Sequence, residues 1–170
     1  MSKKIIICFL TALLLFVVSC GATKTLPADT SCEQILNTAK QAGTLPENTA
    51  EYVKGQKEFD AYTISLWADG SYTECAEYDM IADYAVFYSS DNTTYEISVL
   101  KAQNADNAEK LVNMLTRRQN TLCSGAKAEY DPNFNSLMKN SKIITEGQFV
   151  ILLITSDNNA IITAIEGLKQ

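Results

Sequence analysis

The run Phe149-Val150-Ile151-Leu152-Leu153-Ile154 constrains the fold of this 170-residue chain more than any other stretch. Its side chains are apolar without interruption and do not alternate with polar ones. A continuous run rich in β-branched residues is the pattern of a strand buried on both faces, hence a central strand. Glu146-Gly147-Gln148 precedes it as a tight turn with a glycine available for positive φ, and 141–145 supplies the partner strand.

A second hairpin is expected upstream. Tyr84 to Ser89 is aromatic and β-prone, and Asp91-Asn92 is turn chemistry. Tyr95, Ile97 and Val99 then alternate with Glu96 and Ser98, which predicts strands over 83–89 and 94–102 with one face in water. Helices are expected around these hairpins. Ser31-Cys32-Glu33-Gln34 fits a capping box, with a stripe of Ile35, Leu36, Ala39 and Ala42 and a stop at Gly43. Asp106 is expected to cap the longest helix, with Glu109 three residues on as its box partner, and the buried stripe is Ala108, Leu111, Val112, Leu115, Leu122 and Cys123. Arg117 and Arg118 fall near its C-terminal end, where positive charge suits the helix dipole. Pro132 begins a short helix to about Lys139, and Asp157 caps a last one with Ile161, Ala164, Ile165 and Leu168 inward. Residues 44–57 lack a period and read as a loop. Residues 58–69 fit a helix better than a strand, and 74–83 form an acidic turn or short helix. The expected class is α+β: a two-layer domain, with an antiparallel sheet of two hairpins and helices packed on one face.

The N-terminus carries a different signal. Lys3 and Lys4 precede an apolar stretch from Ile5 to Val18, too short to be an ordinary spanning helix. It closes on Val17-Val18-Ser19-Cys20, which looks like a bacterial lipobox, with cleavage between Ser19 and Cys20 and lipidation (palmitate or another acyl chain) of Cys20. The expected organisation is a signal peptide over 1–19, a flexible tether over 20–30 and one domain over 31–170.

Composition removes several functions. The net charge is −6, and without Lys3 and Lys4 the mature part carries 12 basic against 20 acidic side chains. An acidic surface argues against nucleic acid or anionic headgroups as the main partner. There is no histidine, which excludes Ser-His-Asp and Cys-His catalysis and the commonest zinc ligand. Beyond Cys8 and Cys20, the cysteines are Cys32, Cys75 and Cys123, without Cys-x-x-Cys spacing. One disulfide, Cys75–Cys123, is a candidate outside the cytosol, and three reduced thiols are the alternative. Neither a metal nor a cofactor is expected.

The stretch from about residue 78 resembles small bacterial lipoproteins carrying domain of unknown function 4358. The likeness rests on the Tyr84–Tyr88 strand and on Glu96-Ile97-Ser98-Val99-Leu100-Lys101-Ala102 running into a long helix that ends near Arg117-Arg118-Gln119. Tyr130-Asp131-Pro132, the segment Lys142 to Leu153 and a Ser156-Asp157 helix start complete it. The resemblance implies a lipoprotein signal, in agreement with Val17–Cys20. It implies no activity and no catalytic residue.

Three other groupings carry side chains capable of chemistry. Glu74, Glu77, Asp79 and Asp83 crowd one short segment without the spacing of a calcium loop. Arg117-Arg118 can grip an anion through guanidinium forks, and Tyr84, Tyr88 and Tyr95 can form an aromatic platform. The expected function is a lipoprotein anchored through Cys20 at the extracytoplasmic face of the cell membrane. Its domain binds or scaffolds an envelope protein, peptide or sugar without catalysis. The alternatives are a thiol-dependent redox protein using Cys75 and Cys123, and an envelope hydrolase using the acidic cluster.

Overall fold

A computed structural model describes residues 24–125 and 127–170; the expected signal peptide over 1–19 and Cys20 lie outside the described residues. In chain order the elements are α1 (Cys32–Ala42), β1 (Thr49–Val53), α2 (Ala61–Asp69), a 3₁₀ turn (Tyr78–Met80), β2 (Ile81–Ser89), β3 (Glu96–Ala102), α3 (Ala105–Ser124), α4 (Lys127–Tyr130), α5 (Phe134–Asn140), β4 (Lys142–Glu146), β5 (Phe149–Ile154) and α6 (Asn158–Glu166). The strands form one sheet in the order β1-β2-β3-β5-β4, with every pair antiparallel. The α+β class, the antiparallel sheet and both expected hairpins are present.

β5 is interior, and all six of its residues are buried. Its side chains serve two cores. Val150, Leu152 and Ile154 join Val86, Leu100 and residues of α2 and α3 on one face. Phe149, Ile151 and Leu153 join Phe87, Ile97, Val99 and residues of α1 and α6 on the other. The helices therefore cover both faces, and the expected two-layer arrangement is corrected to three layers. The reason lies in β5 itself. A single helical layer would leave Phe149, Ile151 and Leu153 in water, forgoing about 1.5–3 kcal/mol for each.

The expected wet face of β3 is likewise corrected. Glu96 and Ser98 are both buried beneath α3. The alternation that suggested solvent marks a buried polar cluster.

The 44–57 stretch, expected as a loop, contains β1. β1 is an edge strand of five residues, TAEYV, with only Val53 buried. An edge strand buries little, so it needs few apolar residues and leaves a weak period. Its register against β2 runs from Thr49↔Ser89 to Val53↔Ala85. Glu51 is paired with Lys40 of α1 at 2.7 Å.

Several caps differ from expectation. Asn104, not Asp106, caps α3, its Oδ1 accepting from the Asn107 N–H at 2.9 Å. Asp157 stands at the start of α6, but its carboxylate accepts from the Thr44 N–H at 2.8 Å and so ties the α1–β1 connection to that end. α2 takes the helical form, with Asp60 and Thr63 closing a capping box.

Residues 24–30, expected within a flexible tether, are docked on the domain. Thr25 and Gln170 exchange two backbone hydrogen bonds. Lys101 Nζ donates to the carbonyls of Ala28 and Thr30 at 3.1 and 3.3 Å. Leu26 packs against the α1/α6 core, and Thr30 is buried.

Tyr95 sits in that same core with its hydroxyl buried and, among the described residues, without a partner. Burial pushes its phenol up to about 12. Between pH 10 and 12 the unfolded chain loses this proton while the folded chain keeps it, so stability falls as pH rises through that window. Tyr95→Phe should flatten this alkaline loss in denaturant titrations, and should change stability at pH 7 by no more than about 1 kcal/mol, because no hydrogen bond is broken.

Candidate functional site

Three residues meet beneath α3 at one end of the sheet. Glu96 opens β3 and Ser98 follows two residues later, so both point to the α2/α3 side. Arg118 continues the inward stripe of α3 through Leu111 and Leu115, at spacings of four and three. Its Nε and Nη2 donate to Glu96 Oε2 at 2.9 and 2.7 Å, and its Nη1 donates to the Trp67 carbonyl at 2.8 Å. Ser98 Oγ donates to Glu96 Oε1 at 2.6 Å. The Glu96 side chain is 1% exposed and that of Arg118 11%.

Aromatic rings close around the guanidinium. Its central carbon lies 5.4 Å from the Trp67 ring centroid and 5.8 Å from that of Tyr88, within cation–π range. Tyr52 stacks on Phe59 at 4.2 Å and lies nearly parallel to Tyr88 at 6.3 Å. Phe59 in turn meets Trp67 at 5.6 Å. Together Tyr52, Phe59, Thr63, Leu66, Trp67, Tyr88 and Arg118 line a cleft of about 270 Å³. Three of the five N–H groups of Arg118 are used by Glu96 and the Trp67 carbonyl. Trp67 Nε1, buried, has no partner among the described residues. The lining offers ring faces for stacking, a fixed cation and unspent donors. That is the equipment of a binding site.

The surroundings are densely polar. Lys127 Nζ donates to the carbonyls of Ser89 and Thr93 at 3.1 and 2.8 Å, and burial, reinforced by the charge of Arg118, lowers its affinity for a proton. Asp131, buried, accepts from the Thr94 N–H at 2.6 Å. Hydrogen bonds from Ser89, Thr93 and Asn48 hold the Asp91 carboxyl far below the usual carboxylate range.

Two other cavities lie at this end of the sheet. One of about 610 Å³ is an open groove at the start of α6, and a neighbour of about 360 Å³ is lined by Tyr95, Asn133, Leu137 and Asn140. Their polar groups are largely committed. Asn158 accepts from the Thr155 N–H and hydroxyl and donates to the Asn140 carbonyl, and Lys142 donates to Asn159. The aromatic cleft is the better site because stacking surfaces and unspent donors coincide there.

The groupings anticipated from sequence are placed as follows. Arg117 and Arg118 part company. Arg117 is 39% exposed and bridges Asp69 and Glu77 at 3.3 and 3.0 Å, whereas Arg118 turns inward to Glu96. The acidic segment is divided. Glu77 serves Arg117, Glu74 and Asp79 are exposed, and Asp83 reaches from β2 to accept from the Cys32 N–H at 2.8 Å in the first turn of α1. Tyr84 and Tyr88 belong to the α2/α3 face, but Tyr95 lies in the opposite core, so the three form no platform.

Among the described residues the cysteines are unbonded. Cys32 and Cys75 are buried free thiols and Cys123 is an exposed one on α3, so the Cys75–Cys123 bridge is not formed. Burial pushes the Cys32 thiol well up, with Asp83 adding to the effect, and burial also raises Cys75. Cys123 was expected on the buried stripe. α3 turns it outward, and Met114, unforeseen, fills the core. Among the described residues no group of three or more Cys, Asp or Glu is placed to hold a metal ion. No helix among them is long and apolar enough to cross a membrane.

Residues 77–155 match Domain of unknown function (DUF4358). The match runs from the 3₁₀ turn through β5. It includes Glu96, Ser98, Tyr88 and Arg118, and it leaves α1, β1, α2 and α6 outside. No curated protein and no solved structure matches the chain.

The pairing of Glu96 with Arg118 was within reach of the sequence. Arg118 falls three residues after Leu115 on the buried stripe of α3, and a cation there needs a buried anion. Glu96→Gln should lower unfolding free energy by about 3–5 kcal/mol, the usual cost of leaving a buried charge unpaired, in chemical denaturation. The double variant Glu96→Leu/Arg118→Met should recover part of that loss. Of the three thiols among the described residues, native-state alkylation followed by mass spectrometry should modify only Cys123, with Cys32 and Cys75 reacting only after unfolding.

Proposed function

We propose that this chain is a bacterial lipoprotein, cleaved between Ser19 and Cys20, acylated on Cys20 and held at the extracytoplasmic face of the cell membrane. The reading is carried by the order of features at the N-terminus: Lys3 and Lys4, the apolar stretch Ile5 to Val18, and Val17-Val18-Ser19-Cys20 closing it. Each acyl methylene buried in the bilayer contributes about 0.8 kcal/mol, so two or more chains hold the protein firmly while the domain remains in water. The resemblance of the domain to lipoproteins carrying domain of unknown function 4358 supports the same reading.

The domain binds an envelope component, a protein, peptide or sugar, without transforming it. The aromatic cleft supports this part. Its lining stacks and donates hydrogen bonds, and its one charged group, Arg118, is committed to Glu96. The acidic balance of the chain favours neither nucleic acid nor anionic headgroups as the ligand.

Growth with labelled palmitate tests the anchor. The wild-type protein should carry the label and sediment with membranes. Cys20→Ala should stay unprocessed and unlabelled. A Cys20→Ala protein that is labelled and anchored like the wild type sinks the proposal.

A further inference from the structure

Two features described above lie at opposite ends of the sheet. Residues 24–30 dock at the end that carries the β4–β5 turn. There Lys101 holds the carbonyls of Ala28 and Thr30 while lying over the Phe149 ring at 4.8 Å. Thr25 is pinned to Gln170 by two backbone hydrogen bonds. The aromatic cleft lies at the other end, where Glu96 opens β3 opposite Tyr88 and Ile154. β3 runs seven residues between these ends, about 20 Å at roughly 3.3 Å per residue.

We propose that the docked strap orients the domain on the membrane, with the β4–β5 turn end facing the bilayer and the aromatic cleft facing away from it. This rests on the proposed acylation of Cys20. From Cys20 to Lys24 the chain spans at most about 14 Å even when fully extended. Because the strap is fixed to the turn end, that reach is measured from there and is shorter than the sheet. The domain can rock about this leash but cannot invert, since inversion would require the leash to run the length of the sheet. The surface apposed to lipid is the strap with the turn beside it, and the ligand of the cleft arrives from the aqueous side.

The test uses the full-length, lipidated protein in vesicles containing headgroup spin-labelled lipid, in a Cys123→Ser background. A fluorophore is placed at Gln103→Cys, at the strap end, or at Asn92→Cys, in the β2–β3 turn; both positions are exposed. Quenching by the labelled lipid should be several-fold greater at position 103. Lengthening the leash by about a dozen Gly/Ser residues between Thr23 and Lys24 should bring the two positions toward equality. Fatty-acid content is measured on the same samples. Acylated protein with equal or reversed quenching overturns the orientation and leaves the anchor standing. Protein without fatty acid on Cys20 overturns both.

Discussion

The charge pair between Glu96 and Arg118 is the constraint that the rest of this structure accommodates. A carboxylate at the start of a central strand, 1% exposed, is tolerable only with a cation against it and donors on both oxygens. Arg118 and Ser98 meet that demand. In doing so they fix the seating of α3 on the sheet, since α3 must bring its fourth turn over Glu96. The Trp67 carbonyl takes another guanidinium N–H, and this ties the C-terminal part of α2 to the same point. The cleft exists because α2 and β1 close over this pair from the side.

The sheet supplies the second constraint. β5 is apolar on both faces, and antiparallel neighbours in register with it carry that demand outward. Val99 lies opposite Ile151, and Leu100 opposite Val150. Two cores follow, one under α2 and α3 and one under α1 and α6. Polar links then join the layers. Asp83 reaches from β2 to the first turn of α1, and Asp157 reaches from α6 to Thr44.

Much of this was legible in the residues. The unbroken apolar run gave a central strand, turn chemistry gave the hairpins, and stripes at helical spacing gave α1, α3 and α6. The departures within the sheet share one cause: polarity does not by itself give exposure. Glu96 and Ser98 read as a wet face because alternation marks polar positions without saying whether they meet water or a buried partner. Thr49–Val53 read as loop because an edge strand with one buried residue leaves almost no hydrophobic signal. Helices on one face followed from treating β3 as half-wet, although the run in β5 already required cover on both sides. The cleft was invisible for another reason. Tyr52, Trp67, Tyr88 and Arg118 come from four elements, and only the fold brings them together.

The cleft is also built from two stretches of unequal standing. Tyr88 and Arg118 lie within residues 77–155, together with the Glu96 that holds Arg118 in place. Tyr52, Phe59, Thr63, Leu66 and Trp67, the remaining wall, lie ahead of that span. The floor is bound to the sheet by the buried Glu96–Arg118 pair, whereas the wall is carried by an edge strand and a nine-residue helix. The shape of the cleft and the folding of the sheet are thus partly uncoupled along the chain. Substitutions of the less buried wall residues Tyr52, Thr63 and Leu66 can reshape the cleft while the central strands, their register and the buried charge stay as they are.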